Sequence, residues 1–281
     1  MSHSLLGVGA RGSLVLLLQQ CLDDQGYLQS PPDGDFGAAT SAAVERFQAA
    51  CQLPATGSVD ERCWQRLTQR PVPTLAERAL DLVASFEGHG YTLAMGNFDG
   101  AWLTWGIIAF TLHSGSLAEV YQRIQRSHPE CIAKAFDKLA IPFGRLLSAS
   151  GMEKANWANR NTGRDGRLLD PWKTCFETLG SFPEVQQIQR EVAEERYWRP
   201  AQQTARRYNL SSEIAMVLCF DIHVQNGGVK PEAARTLDPF LRPNEEVPEK
   251  EIREAVAQAV AKQALPRYRD DVLARKMTLA R

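Results

Sequence analysis

Two prolines within four residues, in Arg70-Pro71-Val72-Pro73-Thr74, put a break in this chain that neither a helix nor a central strand can cross. Each proline ring fixes its own φ, and each pushes the preceding residue to extended backbone. Residues 71–74 therefore read as a short extended linker. They leave residues 1–70 as one domain and residues 75–281 as another. The first is small, and folds alone only if its core is tight. The second is long enough for a medium-sized domain with a core of its own.

The first stretch reads as helix, glycine-rich loop, helix, turn, helix. Leu14, Leu17, Leu18, Cys21 and Leu22 recur at helical spacing, and Gly26 ends that helix. Pro31 to Gly37 is turn chemistry throughout. Thr40 is expected to cap the second helix, with Ala43, Val44 and Phe47 inward; Asp60 is expected to cap the third, with Trp64 and Leu67 closing the core.

Helical signals also dominate the second stretch. Leu75 to Phe86 carries an inward apolar stripe, and segments 117–126, 130–139, 184–208, 211–225 and 249–264 read as helices. Ile107 to Leu112 is compatible with a buried helix or a strand, and the polar run from Asn156 to Arg167 reads as a loop or flap. The expected fold class is mainly α: a small three-helix domain, then a mostly helical domain with a small β-hairpin or sheet.

Glu87 closes the helix that begins at Leu75. It sits beside Phe86 and at the negative end of the helix dipole, and both features disfavour the ionised form. That suits a general acid; the alternative is a solvated helix-end glutamate. Asp99 lies in the polar turn Gly96-Asn97-Phe98-Asp99-Gly100, where a carboxylate stays hydrated. The alternative there is an aspartate that closes its own turn. Thr104 can hold a water against Asp99 if both share a hairpin face, and is otherwise a strand residue. One acid kept protonated for the leaving oxygen, and one kept charged to activate water, are the minimum for hydrolysing a glycosidic bond. The three residues together point to cleavage of a polysaccharide.

Two resemblances refine this. Gly26-Tyr27, Asp33-Gly34-Asp35-Phe36-Gly37, Thr40, Ala43-Val44, Phe47-Gln48, Leu53, Thr56-Gly57, Asp60 and Trp64 resemble the three-helix peptidoglycan-binding module that accompanies cell-wall hydrolases. That resemblance implies a wall-facing surface at Asp33, Asp35, Phe36 and Thr40. Further on, Phe86-Glu87-Gly88, Asp99-Gly100, Leu103 to Phe110 and Gly115-Ser116-Leu117 resemble the core of the family 46 chitosanases. Tyr197 to Ala201 and Asp221 to Gly227 are similar too, and the Glu-Gly, Asp and Thr order also resembles phage-type lysozymes. The resemblance implies a lysozyme-like helical fold, inversion at the anomeric carbon, and roles for Glu87 as general acid, Asp99 as general base and Thr104 as the residue orienting water. Two departures matter. The chitosanase arginine two positions after the base is Ala101 here, and the acid that meets the sugar ammonium is Ser116. Without that acid the charge-assisted bond to glucosamine is lost, which favours N-acetylated peptidoglycan sugars over chitosan. Tyr91, Asn97, Trp105, His113 and Ser116 are the candidate substrate contacts, the rings by stacking on apolar sugar faces.

Other classes find less support. Lys and Arg number 32 against 33 Asp and Glu, so no basic excess points to nucleic acid. No apolar run approaches the ~20 residues of a membrane span. The six cysteines lack the paired spacing of a zinc or redox site and read as free thiols, and the histidines lack ligand spacing, so neither metal nor cofactor is expected. Asp221, on an apolar helix, is expected in a buried ion pair. The reading is a peptidoglycan hydrolase of muramidase type, with the glycan strands as partner and a monomer as its form. Rivals are a chitosanase, a lytic transglycosylase using Glu87 alone, and a non-catalytic wall-binding protein. Met1 to Gly12 does not read as a cleavable signal. The expectation is synthesis in the cytoplasm and action at the wall after holin-type release, as a phage endolysin, or after delivery as a secreted effector with a cognate immunity protein.

Overall fold

The computed structural model describes residues 4–87, 90–238 and 247–280, with the side chains of 85–87 outside that description. The chain divides into two compact units, Met1–Arg78 and Ala79–Arg281.

In the first unit, helices α1 (Ser13–Asp24), α2 (Ala38–Ala50) and α3 (Glu61–Thr68) surround one core. Val15, Leu18, Leu22, Val44, Phe47, Trp64 and Leu67 meet there with Leu28, Phe36 and Val59 from the loops. Asp60 caps α3 as expected, its Oδ1 accepting the Cys63 N–H at 2.7 Å. Thr40 does not cap α2. That helix starts at Ala38 with Gly37 before it, which puts Thr40 inside the first turn and in the core, 2% exposed.

Two buried glutamines organise this unit by one repeated device. Gln19 of α1 holds the loop before α2. It accepts N–H bonds from Asp33 (3.0 Å) and Gly34 (2.7 Å) and donates to Asp33 Oδ1, Asp35 O and Thr40 Oγ1. Gln48 of α2 holds the loop before α3 in the same way, accepting from Thr56 (2.9 Å) and Gly57 (3.1 Å) and donating to Ser58 O. Each loop then sends an apolar residue into the core, Phe36 or Val59, and bridges back to the N-terminal segment, at Arg11 or Leu6. Loop amides turned inward would otherwise lose their water unpaired, so a buried amide side chain with two donors and two lone pairs is what the geometry needs. Gly57 is required: at φ 68° it is left-handed, and a Cβ there would lie 2.5 Å from Ser41 Oγ.

Helix α4 (Leu75–Glu87) runs across the division into the second unit, followed there by strands β1 (Ala94–Met95), β2 (Thr104–Trp105) and β3 (Phe110–Thr111). The strands form an antiparallel sheet in the order β1-β2-β3, Trp105 standing opposite both Ala94 and Phe110. Then come α5 (Ser116–Ser127), α6 (Pro129–Phe136), α7 (Ala140–Leu147), α8 (Gly151–Arg160), α9 (Trp172–Ser181), α10 (Pro183–Ala193), α11 (Arg199–Arg207), α12 (Glu213–Asn226), α13 (Pro231–Leu237), α14 (Glu249–Lys262) and α15 (Arg269–Ala280). This is the expected mainly helical class with a small sheet.

Some local expectations change. Asn156 to Arg160 is helix, because α8 is started by a full capping box between Ser150 and Glu153; only 161–168 is loop, and it pairs back onto Met95 through Arg167. Residues 184–208 are α10 and α11 separated by a π turn at Glu194–Trp198. Pro200 has no N–H for the carbonyl one turn back, which favours a wider turn there.

An aromatic core fills the space beside the sheet. Phe143 lies 5.1–5.9 Å from the rings of Tyr121, Phe136, Trp157, Trp172 and Phe176. At the other end, Asp221 on α12 is fully buried and held by Arg275 (2.9 Å from Nε) and by the equally buried Lys276. This is the ion pair anticipated at Asp221.

Candidate active site

The β1–β2 turn places Asp99. Asn97 builds that turn: its N–H donates to Thr162 Oγ1 (2.7 Å), its Nδ2 to Asn159 Oδ1 (2.6 Å), and its Oδ1 accepts from Trp102 N (3.0 Å). Asp99 is exposed, and one carboxylate oxygen accepts the Ala101 N–H at 3.0 Å, so it closes its own turn. Gly100 and Trp102 take positive φ, 90° and 68°. For a tryptophan that conformation is strained, and the bond from Asn97 and the ring packing hold it. The Trp102 ring stacks on His113 at 4.5 Å, and His113 Nδ1 lies 3.1 Å from Gly100 O. Phe98, in the same turn as Asp99, is 59% exposed. Thus Asn97, Asp99 and His113, singled out in the sequence, do come together, and Trp102 and Phe98 join them.

Thr104 follows on β2. It is 6% exposed, and its hydroxyl makes no hydrogen bond to a described residue. The backbone of Glu87 ends α4, while its side chain lies outside the described residues, as does His89.

Four expected contacts are corrected by burial. Trp105 has no exposed surface: its Nε1 donates to Phe176 O at 3.0 Å and its ring packs on Phe176. Strands this short give no alternation to separate the two faces, so Thr104 and Trp105 are both buried. Ser116 is 1% exposed, its hydroxyl accepting the Thr111 N–H (2.9 Å) at the start of α5. Phe36 and Thr40, each 2% exposed, belong to the core of the first unit; of that loop's expected wall contacts only Asp33 and Asp35 reach solvent, Asp35 paired with Arg11 at 2.9 Å. Tyr91 is half-buried, and its bonds go to α10, through Arg190 and Gln189.

Gln189 went unnoticed in the sequence. It is fully buried; its Oε1 accepts the Ile107 N–H (3.0 Å) and its Nε2 donates to Tyr91 O (3.1 Å), tying the start of the sheet and its β2–β3 turn to α10. The signal available for it, and for Gln19 and Gln48, was a lone amide on the apolar side of a helix.

Beyond β3 lies a cavity of about 470 Å³, lined by Ile108, Thr111, Ser114, Arg196, Tyr197 and His223 among others. Glu119 of α5 bridges Arg196 (3.0 Å) and Arg123 (2.8 Å), and Arg123 reaches Glu195 (2.6 Å), so the π turn is fastened to α5. Burial holds the His223 imidazole below its usual range, and Nε2 lies 2.8 Å from Thr204 Oγ1. The similar stretches Tyr197–Ala201 and Asp221–Gly227 both contribute to this cavity.

Residues 11–67 match the family model described as a putative peptidoglycan binding domain. No curated protein matches the chain. Among solved structures, the chain is similar to the Gynuella sunshinyii GH46 chitosanase in complex with chitotetraose: 21% identity, TM-score 0.55, covering 72% of this chain and 83% of the other. Native chitosanase from Bacillus subtilis MY002 matches at 20% identity and TM-score 0.54, over 72% and 85% of the two chains. A mutant of that Bacillus chitosanase, complexed with 6 GlcN, matches at 20% and 0.56, over 73% and 86%. At such identities the likeness is one of fold, the lysozyme-like helical fold of those chitosanases.

Proposed function

We propose that this protein is a glycoside hydrolase of the bacterial cell wall, a muramidase that cuts peptidoglycan glycan strands. The observation that carries this reading is the conjunction, in one chain, of a peptidoglycan-binding domain and a chitosanase-like, lysozyme-like fold. In the proposed chemistry Glu87 protonates the leaving oxygen. Asp99, exposed at the β1–β2 turn, takes a proton from water, and Thr104, its hydroxyl unspent, orients that water. The anomeric carbon is inverted. Trp102 and His113 offer a stacked ring surface beside Asp99 for an apolar sugar face.

Peptidoglycan is favoured over chitosan by the cavity beyond β3. Its described lining offers the hydroxyls of Thr111, Ser114 and Tyr197, the His223 ring and one guanidinium, with no carboxylate. A glucosamine ammonium has no charged partner there, whereas an acetamido group finds hydroxyls and apolar walls. The settings in which such an enzyme meets the wall are a phage endolysin released through the inner membrane, or an antibacterial effector with an immunity protein in the producing cell.

The test is mass spectrometry of purified peptidoglycan digested with the wild-type protein and with Glu87→Gln and Asp99→Asn. Hydrated muropeptides with reducing N-acetylmuramic acid ends, lost in both variants, support the two-carboxylate muramidase. Anhydro ends surviving Asp99→Asn would make the enzyme a lytic transglycosylase. Wall binding without cleavage would make it a binding protein.

A further inference from the structure

The burial of Phe36 and Thr40 removes half of the expected wall-facing surface of the first unit, while two grooves open elsewhere on it. One, of about 970 Å³, runs between the loop Leu53–Ser58 and α3 and is lined by Thr56, Ser58, Asp60, Glu61, Arg62 and Gln65 among others. The second, of about 670 Å³, lies past the same helix and is lined by Tyr27, Gln65, Arg66, Gln69, Arg70 and others. Gln65 borders both, so the two flank one exposed side chain of α3.

Charge is distributed along that line. Arg62 and Arg66 stand one helical turn apart, and Arg70 follows just past the end of α3. All three are exposed, and none of their side chains makes a hydrogen bond or ion pair with a described residue. At the other end are two carboxylates. Asp60 is the cap of α3, and Glu61 accepts from Gln65 Nε2 at 3.2 Å. A groove with acids at its head and a row of uncommitted arginines beyond them fits a short, extended, zwitterionic chain.

We infer that this groove binds the stem peptide of peptidoglycan, the arginines pairing with its carboxylates and the Glu61 end facing the ammonium of its diamino acid. The inference rests on the cell-wall reading above. The glycan strand itself is the poorer occupant, because uncharged N-acetylated sugars give the three guanidiniums no partner.

The experiment is co-sedimentation of the full-length Glu87→Gln protein, which leaves the wall intact, with purified sacculi, alone and in the presence of an excess of soluble stem peptide. It is repeated with Arg62, Arg66 and Arg70 all changed to Gln, and again with all three changed to Lys. All three positions are exposed and unpaired, and an unchanged melting temperature verifies the fold of each variant. Three exposed charge pairs, each a factor of a few, predict about tenfold weaker binding of the Gln variant to intact sacculi. The Lys variant recovers part of it, excess soluble stem peptide weakens binding of the parent protein to the level of the Gln variant, and added salt erases the difference. Parent binding undiminished by excess soluble stem peptide, or equal binding of the Gln variant and parent to intact sacculi, overturns the inference alone. A parent protein that fails to sediment with intact sacculi overturns the cell-wall reading and the inference with it.

Discussion

Replacing Gln189 with alanine tests whether one buried amide fixes the sheet that carries Asp99 and Thr104. Gln189 is fully buried, and its loss leaves the buried Ile107 N–H and the Tyr91 carbonyl without their partners. An unsatisfied buried group costs on the order of 1–3 kcal/mol, so two such groups, one only partly buried, predict about 2–4 kcal/mol. For a unit of this size that is a fall of roughly 5–15 °C in melting temperature. A second substitution sharpens the test. Gly106 sits at φ 85°, where a Cβ would lie 2.3 Å from Gln189 Oε1. Gly106→Ala is therefore destabilising twice over, by backbone strain and by that clash, and only the clash depends on Gln189. In the Gln189→Ala background Gly106→Ala is predicted to cost at least ~1 kcal/mol less than in the wild type. The assay is urea unfolding and calorimetry of all four proteins, with the exposed Gln187→Ala on the same helix as a control. A fall below about 2 °C for Gln189→Ala, or strict additivity with Gly106→Ala, would refute the reasoning.

Three further outcomes follow from the same packing. Burial pushes the Glu249 carboxyl up, but bonds from the side chains and amides of Ser211 and Ser212 override it and bring it to about 2. A carboxylate so depressed contributes stability that is present above its unfolded range near 4.5 and lost as pH falls toward 2; acid titration of stability should lose on the order of 3 kcal/mol over that window, and Glu249→Gln should flatten it. Asp221→Ala strands the buried Lys276 and should cost about 3–5 kcal/mol by chemical denaturation, while Asp221→Leu combined with Lys276→Met should recover most of it. Trp102→Gly relieves the φ of 68° and so should leave the melting temperature nearly unchanged, yet by removing the ring beside Asp99 it should raise KM for glycan hydrolysis about threefold to tenfold; a large loss of stability with unchanged KM would make Trp102 a packing residue only.

Much of this architecture is written in local pattern. The apolar stripes of α1 and α4, the apolar run of α12, the cap at Asp60 and the glycine stops need only helical spacing and turn chemistry to be seen. The Ser150-x-x-Glu153 box was equally visible, and it outweighs the polarity of the residues after it, which is why α8 extends into a stretch that looks like loop. What pattern does not carry is whether a residue in a two-residue strand, a loop or a helix start ends up covered. Trp105, Ser116 and Phe36 have the chemistry of a binding site and the burial of a core. Their neighbours decided the matter: Trp105 is claimed by the carbonyl of Phe176, 71 positions away. The three hub glutamines are hidden because their partners lie in segments outside their own helices, from 8 positions away for Gln48 to 98 for Gln189. Trp102 was legible only as a tryptophan; its value lies in a strained φ and a stack on His113 that no spacing rule reports.

The central claim is that the chain hydrolyses glycan strands of peptidoglycan and not chitosan. Reducing ends released by the wild-type protein from purified sacculi and from fully deacetylated chitosan, measured side by side, address it most directly. Release from sacculi with none from chitosan is the predicted result. Release from chitosan with none from sacculi would contradict it and assign the protein the activity of its structural neighbours.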